Sequence, residues 1–239
     1  MVDIHCHILP NVDDGSKSWD ISLQMCRMAQ NDGIKHIVAT PHANSKYTYD
    51  RDALSARLDE LSRKLGPGLT FSLGCDFHLS FENISDALVH PTRYTISGTN
   101  YLLVELSDFS VPPSISQTLE RLSNAGLVPI ITHPERNPIL QRNQGQVLEW
   151  ATNGYLIQVT ANALTGRWGQ KAQDMAVWLL KRSAVHVIAT DAHDLDSRPP
   201  ILSKARDAAA KILDESRAQA LVHDNSHAIV SGRPLPQSA

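Results

Sequence analysis

Met1-Val2-Asp3-Ile4-His5-Cys6-His7 is a short apolar run that ends on two histidines one residue apart. Alternate residues of a strand project to the same face, so His5 and His7 can reach one metal ion together while Cys6 points away. Taken alone, His-x-His is a weak motif and suits a short edge strand equally well. Its weight comes from recurrence. Thr40-Pro41-His42, Gly74-Cys75-Asp76, Val104-Glu105, Thr132-His133-Pro134-Glu135-Arg136 and Thr190-Asp191-Ala192-His193 each put a His, Asp or Glu where an apolar run stops, and Asp14 follows His7 by seven residues.

The apolar runs span 2–6, 34–39, 69–73, 101–104, 127–131, 155–159 and 185–189. Most are short, β-branched and not cleanly alternating, as expected of strands buried on both faces. Helix-length segments at 20–30, 52–65, 114–124, 144–151 and 169–182 separate most of them, and Gly33, Gly66, Gly126 and Gly154 stand where a helix-terminating glycine is expected. Strand and helix in alternation imply parallel strands joined by right-handed crossovers, hence an α/β barrel or an open doubly wound sheet. Candidate ligands at the ends of six of the seven runs favour the barrel. Its C-terminal face converges on one mouth, whereas an open sheet would spread the strand ends along a line. The expectation is a distorted seven-stranded (β/α) barrel with its active site at the C-terminal ends of the strands.

With 239 residues, 42% hydrophobic and 20% charged, the chain can bury one sizeable core, and no linker-like stretch divides it, so 1–239 reads as one domain. A net charge of −3 argues against a nucleic-acid footprint. Neither a secretory leader nor an 18-residue apolar span is visible, so no membrane insertion and a cytoplasmic location are expected. Cys6, Cys26 and Cys75 are odd in number and unclustered, which fits reduced thiols. The end of the chain, after about residue 230, reads as frayed. The helices at 20–30 and 169–182 could present apolar faces to another subunit, although core packing explains them equally well.

Five histidines (His5, His7, His42, His133, His193) and four carboxylates (Asp14, Asp76, Glu105, Asp191) thus sit at or just beyond strand ends. A catalytic zinc usually takes three protein ligands, so nine imply two or three ions. Imidazole and carboxylate without thiolate suit manganese, iron or zinc in a polynuclear hydrolytic site. Simpler readings exist for single residues. Asp14, before Gly15 and Ser16, can form a turn; Glu105 can pair with an arginine; His133, before Pro134, can be a loop histidine. Arg136 and Arg198 can lean over the same mouth, where their guanidinium forks match phosphate oxygens, although surface ion pairing would also explain them.

Together, His-x-His near the start, Thr40-Pro41-His42, Glu105 after a strand, the His133-Pro134-Glu135-Arg136 segment and Asp191-Ala192-His193 resemble the polymerase-and-histidinol-phosphatase (PHP) superfamily. The spans from Asp3 to Pro10, Asp13-Asp14-Gly15 and Ser197-Arg198-Pro199-Pro200 resemble, more narrowly, the bacterial tyrosine phosphatases of capsular and exopolysaccharide regulation. The resemblance runs over roughly residues 1–215. It implies a trinuclear, usually manganese-activated centre that hydrolyses phosphotyrosine on a phosphorylated bacterial tyrosine kinase of polysaccharide export. It also implies that His5, His7, Glu105 and Asp191 hold one ion and that His42 and His133 hold a second sharing Glu105. Asp14, Asp76 and His193 then surround the third, and Arg136 and Arg198 bind phosphate. One departure is Asp76, where the family more often has Glu; His78 is the alternative ligand.

The chemistry expected of such a site is in-line attack on phosphorus by a hydroxide bridging two ions, its pKa lowered to about 7. No side-chain nucleophile is then needed, and none of the three cysteines sits in a phosphate loop. A small-molecule phosphatase resembling histidinol phosphatase, or a nuclease, would use the same centre. A binding module without turnover is the rival from another class, which metal-competent side chains at all nine positions argue against. Tyr47 and Tyr49, after His42, could flank a phosphoaryl ring or simply pack under their loop.

Overall fold

The computed structural model describes residues 1–236. Its strands are β1 (Val2–Cys6), β2 (His36–Ala39), β3 (His42–Ala43), β4 (Thr70–Leu73), β5 (Asp76–His78), β6 (Tyr101–Glu105), β7 (Val128–Thr132), β8 (Leu156–Thr160) and β9 (Val187–Ala189). The α-helices are α1 (Trp19–Asn31), α2 (Arg51–Leu65), α3 (Phe81–Val89), α4 (Ser114–Asn124), α5 (Gln144–Thr152), α6 (Ala161–Leu164), α7 (Gln170–Leu180), α8 (Ser203–Ala210), α9 (Glu215–Gln219) and α10 (Asn225–Val230).

Helix starts and stops follow local chemistry. The Ser18 hydroxyl accepts from Ile21 N–H at the head of α1, and the Asp50 carboxylate accepts from Asp52 and Ala53 N–H at the head of α2. Past the end of α1, Gly33 takes φ +89°, which a side chain rarely tolerates. Its N–H bonds to Gln30 O and that of Ile34 to Ala29 O, so the turn satisfies two helix-end carbonyls and delivers the chain into β2.

All strand pairings are parallel, as the βα alternation implies, but the strands divide into two sheets, β1-β2-β4 and β3-β5-β6-β7-β8-β9. The expected seven-stranded barrel is therefore found only in coarser form, and no continuous ladder closes it among the described residues. Two of the seven predicted runs continue past a break. Pro41 has no N–H to offer a ladder, and β3 resumes at His42. The neighbouring strand breaks at Gly74-Cys75 and resumes as β5, with Asp76 N–H donating to Pro41 O at 3.2 Å. On the far side, β1 meets the segment after β9 through a single bridge between Cys6 and Ala192, with His7 N–H donating to Ala192 O and Asp191 N–H to His5 O, each at 2.8 Å.

The strands bury both faces. Val2, Ile4, Val38, Tyr101, Leu103, Ile130, Leu156, Val187 and Ala189 form an inner cluster with Ile96 and Ile229. Ile37, Ala39, Leu102, Val104, Ile131, Ile157, Val159 and Ile188 face an outer cluster packed by the helices. The apolar faces of α1 (Met25, Cys26, Ala29) and α7 (Met175, Ala176, Leu179) belong to that outer cluster. Between Asp3 and Cys6 the register of β1 against β2 shifts by one residue. Such a bulge reverses the facing of the residues beyond it, so Val2 and Ile4 enter the inner cluster while Cys6 joins the outer one. Below the inner cluster, Leu235 packs against it and the Tyr101 hydroxyl donates to Arg233 O at 2.8 Å. The expected fraying thus covers a stretch that makes contacts as far as Leu235, and residues 237–239 lie outside the described residues. No helix among those described is long and apolar enough to cross a membrane.

Candidate metal centre

The nine predicted ligands all come together above the C-terminal ends of the strands. Seven of them supply the donor atoms of three groups, each within 4.8 Å, with Asp191 and His133 alongside: His7, Asp14, His42 and His193; His5, His7 and Asp76; His42, Asp76 and Glu105. Asp76 is the common member of the last two. Its Oδ2 lies 3.4 Å from His5 Nε2 and 3.3 Å from His42 Nδ1, and the residue is 1% exposed. Asp191 Oδ1 stands 3.4 Å from Nε2 of both His5 and His7. Asp14 Oδ1 reaches His42 Nε2 at 3.2 Å and His193 Nε2 at 3.5 Å. His133 lies at the margin, with Nε2 4.0 Å from Glu105 Oε1. Proximity therefore groups Asp14 and His193 with His42 and His7 rather than with Asp76. His78 reaches only Glu105, at 3.9 Å.

Buried hydrogen bonds aim the imidazoles. His7 Nδ1 donates to Asp13 Oδ2 at 2.7 Å, and His193 Nδ1 to Asp191 O at 2.9 Å; His5 Nδ1 lies 2.9 Å from Gln158 Oε1. Each bond leaves Nε2 facing the mouth, the arrangement in which an outer partner fixes the tautomer of a metal-binding histidine. The Nε2 atoms of His5 and His7 then lie 3.3 Å apart. At that distance two facing lone pairs repel, which a proton on one ring or a metal ion beside both relieves. His42 Nδ1, His193 Nε2 and both carboxylate oxygens of Asp76 are buried without a hydrogen-bond partner. Buried polar atoms are rarely left so, and a nitrogen-and-oxygen donor set with orphaned lone pairs fits divalent ions.

The protonation equilibria are those of a site that trades protons for metal. Burial alone would lower His5, but Asp76 and Asp191 outweigh it and raise the imidazole to about 9. Burial is likewise overcome at His42, which the facing carboxylates of Asp14 and Glu105 raise to about 11. His193 is pushed down to about 4 by burial and by neighbouring His7, and burial with Arg136 nearby holds His133 well below the ordinary imidazole value. Against the cost of burial, Arg198 and His5 hold Asp191 well below the carboxylate range. Burial and the charge of Asp76 push Glu105 up.

Arg136 Nη1 and Arg198 Nη2 both donate to Asp191 Oδ2, which places the two guanidinium groups side by side at the mouth. Arg198 Nε is a further buried donor without a partner. Tyr47 stacks on His42 at 6.0 Å between ring centroids, whereas Tyr49 packs on Tyr94 and donates its hydroxyl to Gly74 O. The three cysteines are buried and free. Burial pushes the Cys26 thiol up to about 12 and holds those of Cys6 and Cys75 well above the ordinary thiol value, so none supplies a thiolate nucleophile.

Sequence reasoning missed the supports. Asp13 binds both His7 Nδ1 and Gly15 N–H, and its signal was adjacency to Asp14. Gln158 was visible as an uncharged polar residue inside an otherwise apolar strand. Trp168, between two glycines, lies over Arg136, with no signal beyond its isolation.

Residues 1–231 match the family described as "Capsular polysaccharide synthesis, CpsB/CapC". CapC of Staphylococcus aureus is 33% identical over 210 residues, covering 85% of this chain and 81% of that protein. The tyrosine-protein phosphatase YwqE of Bacillus subtilis is 31% identical over 202 residues, covering 83% and 79%. Among solved structures, one reported with YwqE of B. subtilis and CpsB of Streptococcus pneumoniae as metal-dependent tyrosine phosphatases superposes with a TM-score of 0.92 at 27% identity, covering 100% of this chain and 97% of that one.

Proposed function

The chain belongs to the CpsB/CapC family of capsular polysaccharide synthesis, and on that premise we propose that it is a metal-dependent protein-tyrosine phosphatase. The observation that carries the reading is the convergence of nine imidazole and carboxylate side chains, several with orphaned buried atoms, beside two arginines. The names of its relatives as tyrosine phosphatases support it. The substrate we infer is phosphotyrosine on a bacterial tyrosine kinase that controls capsule and exopolysaccharide synthesis.

His5, His7, Asp14, His42, Asp76, Glu105, His133, Asp191 and His193 would hold two or three divalent ions, manganese foremost, with iron or zinc as alternatives. Such ions would supply activation of water near neutral pH and neutralisation of phosphoryl charge. The protein's own part is positional. Arg136 and Arg198 carry more donors than Asp191 consumes, and their forks match the oxygens of a phosphoryl group. Asp13 and Gln158 keep two imidazoles facing the mouth with Nε2 free. A phenolate, with a conjugate acid of pKa about 10, leaves with little help, so no dedicated general acid is required of the chain.

The test is turnover by purified protein with manganese on a phosphotyrosine peptide, a phosphoserine peptide and histidinol phosphate. The expected result is preference for phosphotyrosine, loss of activity in excess chelator and recovery with manganese. Full activity in chelator with no metal detected by mass spectrometry would sink the reading, as would preference for histidinol phosphate.

A further inference from the structure

We propose that Trp168 is a positioning residue that holds Arg136 and Arg198 in the geometry that grips the phosphate. The proposal rests on the phosphatase reading of the mouth. The Trp168 ring centroid lies 4.2 Å from the guanidinium carbon of Arg136 and 5.6 Å from that of Arg198, both within cation–π range. One indole thus packs against both arginines whose side chains meet on Asp191. Two cations held side by side repel one another, and a ring face offers both a negative quadrupole without spending a hydrogen-bond donor.

The ring serves no apolar core. Trp150 is buried, and Trp19 and Trp178 pack against the outer cluster, but Trp168 belongs to neither apolar cluster and remains 37% exposed. Its backbone is nevertheless fixed. Gly166 and Gly169, both at φ +81°, bound the turn that carries it between α6 and α7. Arg167, its immediate neighbour, donates to Asp196 O, and Asn162 Nδ2 donates to Ser197 O at 3.1 Å. These bonds latch the tryptophan turn to the loop that carries Arg198, whose own N–H is held by Asp194 Oδ1 at 2.9 Å. An exposed indole on a rigid mount, stacked on two functional cations, is placed to restrain their side-chain freedom before substrate arrives.

The experiment compares wild type, Trp168→Ala and Trp168→Phe, each loaded with manganese, for hydrolysis of p-nitrophenyl phosphate, inhibition by orthophosphate and bound metal. Trp168→Ala is expected to lower kcat/KM and weaken orthophosphate inhibition by about tenfold each, with metal content and thermal unfolding unchanged. Trp168→Phe, which keeps a ring face, should recover most of both. In the Arg136→Ala background, adding Trp168→Ala should cost clearly less than it does alone, because the partner is gone. Unchanged orthophosphate inhibition in Trp168→Ala would overturn the proposal, as would equal losses in the Arg136→Ala background or a fall in bound metal. Absence of phosphatase turnover in the wild type would instead overturn the functional reading beneath it.

Discussion

Asp76 lies within 3.4 Å of two imidazoles while almost wholly shielded from water. Asp76→Asn should therefore lower bound metal by about one ion and kcat/KM by roughly 100-fold or more, because one of the donor groups it joins loses its only carboxylate and the other is left with Glu105 alone. Metal analysis and kinetics on the same preparation check this. The arginines should behave oppositely: Arg136→Ala and Arg198→Ala should lose about 2–4 kcal/mol of transition-state stabilisation, or about 30- to 1,000-fold in kcat/KM, with bound metal nearly unchanged. Near wild-type kcat/KM in both would show that the phosphate sits elsewhere. Glu135 answers to pH rather than to metal. Burial pushes its carboxyl up to about 7, only partly offset by Thr160. Its folded form keeps a proton that the unfolded chain has already released, so stability is lost as pH rises from about 4.5 to 7, by as much as about 3 kcal/mol. Glu135→Gln should flatten that slope, which unfolding midpoints across the pH range would show.

At the scale of elements, the turn after β1 is the tightest joint. A Cβ built on Gly15 would fall 2.2 Å from His7 O and 2.4 Å from His7 Cβ, so only glycine fits there. Gly15→Ala should displace His7, lower manganese affinity at least tenfold and destabilise the fold by about 2 kcal/mol; calorimetric metal titration and thermal unfolding measure both. Such joints also mark what could be read from the chain alone. The runs at 101–104 and 127–131 were legible because apolar, β-branched stretches between helix-stop glycines have few other uses, and 114–124 matches α4 to the residue. The breaks at Pro41 and Gly74 were not, since they leave the apolar run before them intact and change only which neighbour receives its hydrogen bonds. Helix α3 escaped notice because its Phe81 and Val89 face solvent and blur the apolar stripe. Of the candidate site, the donor residues were legible as strand-end His, Asp and Glu. Their division into groups was not, because it depends on how strands adjacent in space but distant in sequence are staggered.

For the whole molecule, the donors come from both sheets: His5 and His7 extend the three-stranded sheet, while Asp76 and Glu105 lie on strands of the other and Asp191 just beyond its last strand. Bound ions would tie the two sheets together across a seam that carries one backbone bridge. At one hundred times its dissociation constant, manganese should add about 2.7 kcal/mol and raise Tm by roughly 5–10 °C over chelator-treated protein, readable by scanning calorimetry. An unchanged Tm would mean that the seam holds without ions. That same seam bears on how the protein is made. The bridge pairs Cys6 with Ala192, residues that leave the ribosome roughly ten to forty seconds apart at ordinary rates of synthesis. Until then β1 is paired only with β2, which β4 flanks on its other side, and His5 and His7 face an open edge. A nascent chain should therefore acquire full metal-loading capacity only when its last quarter has emerged, so that polypeptides truncated before residue 190 would accumulate with a folded first sheet and an incompetent centre.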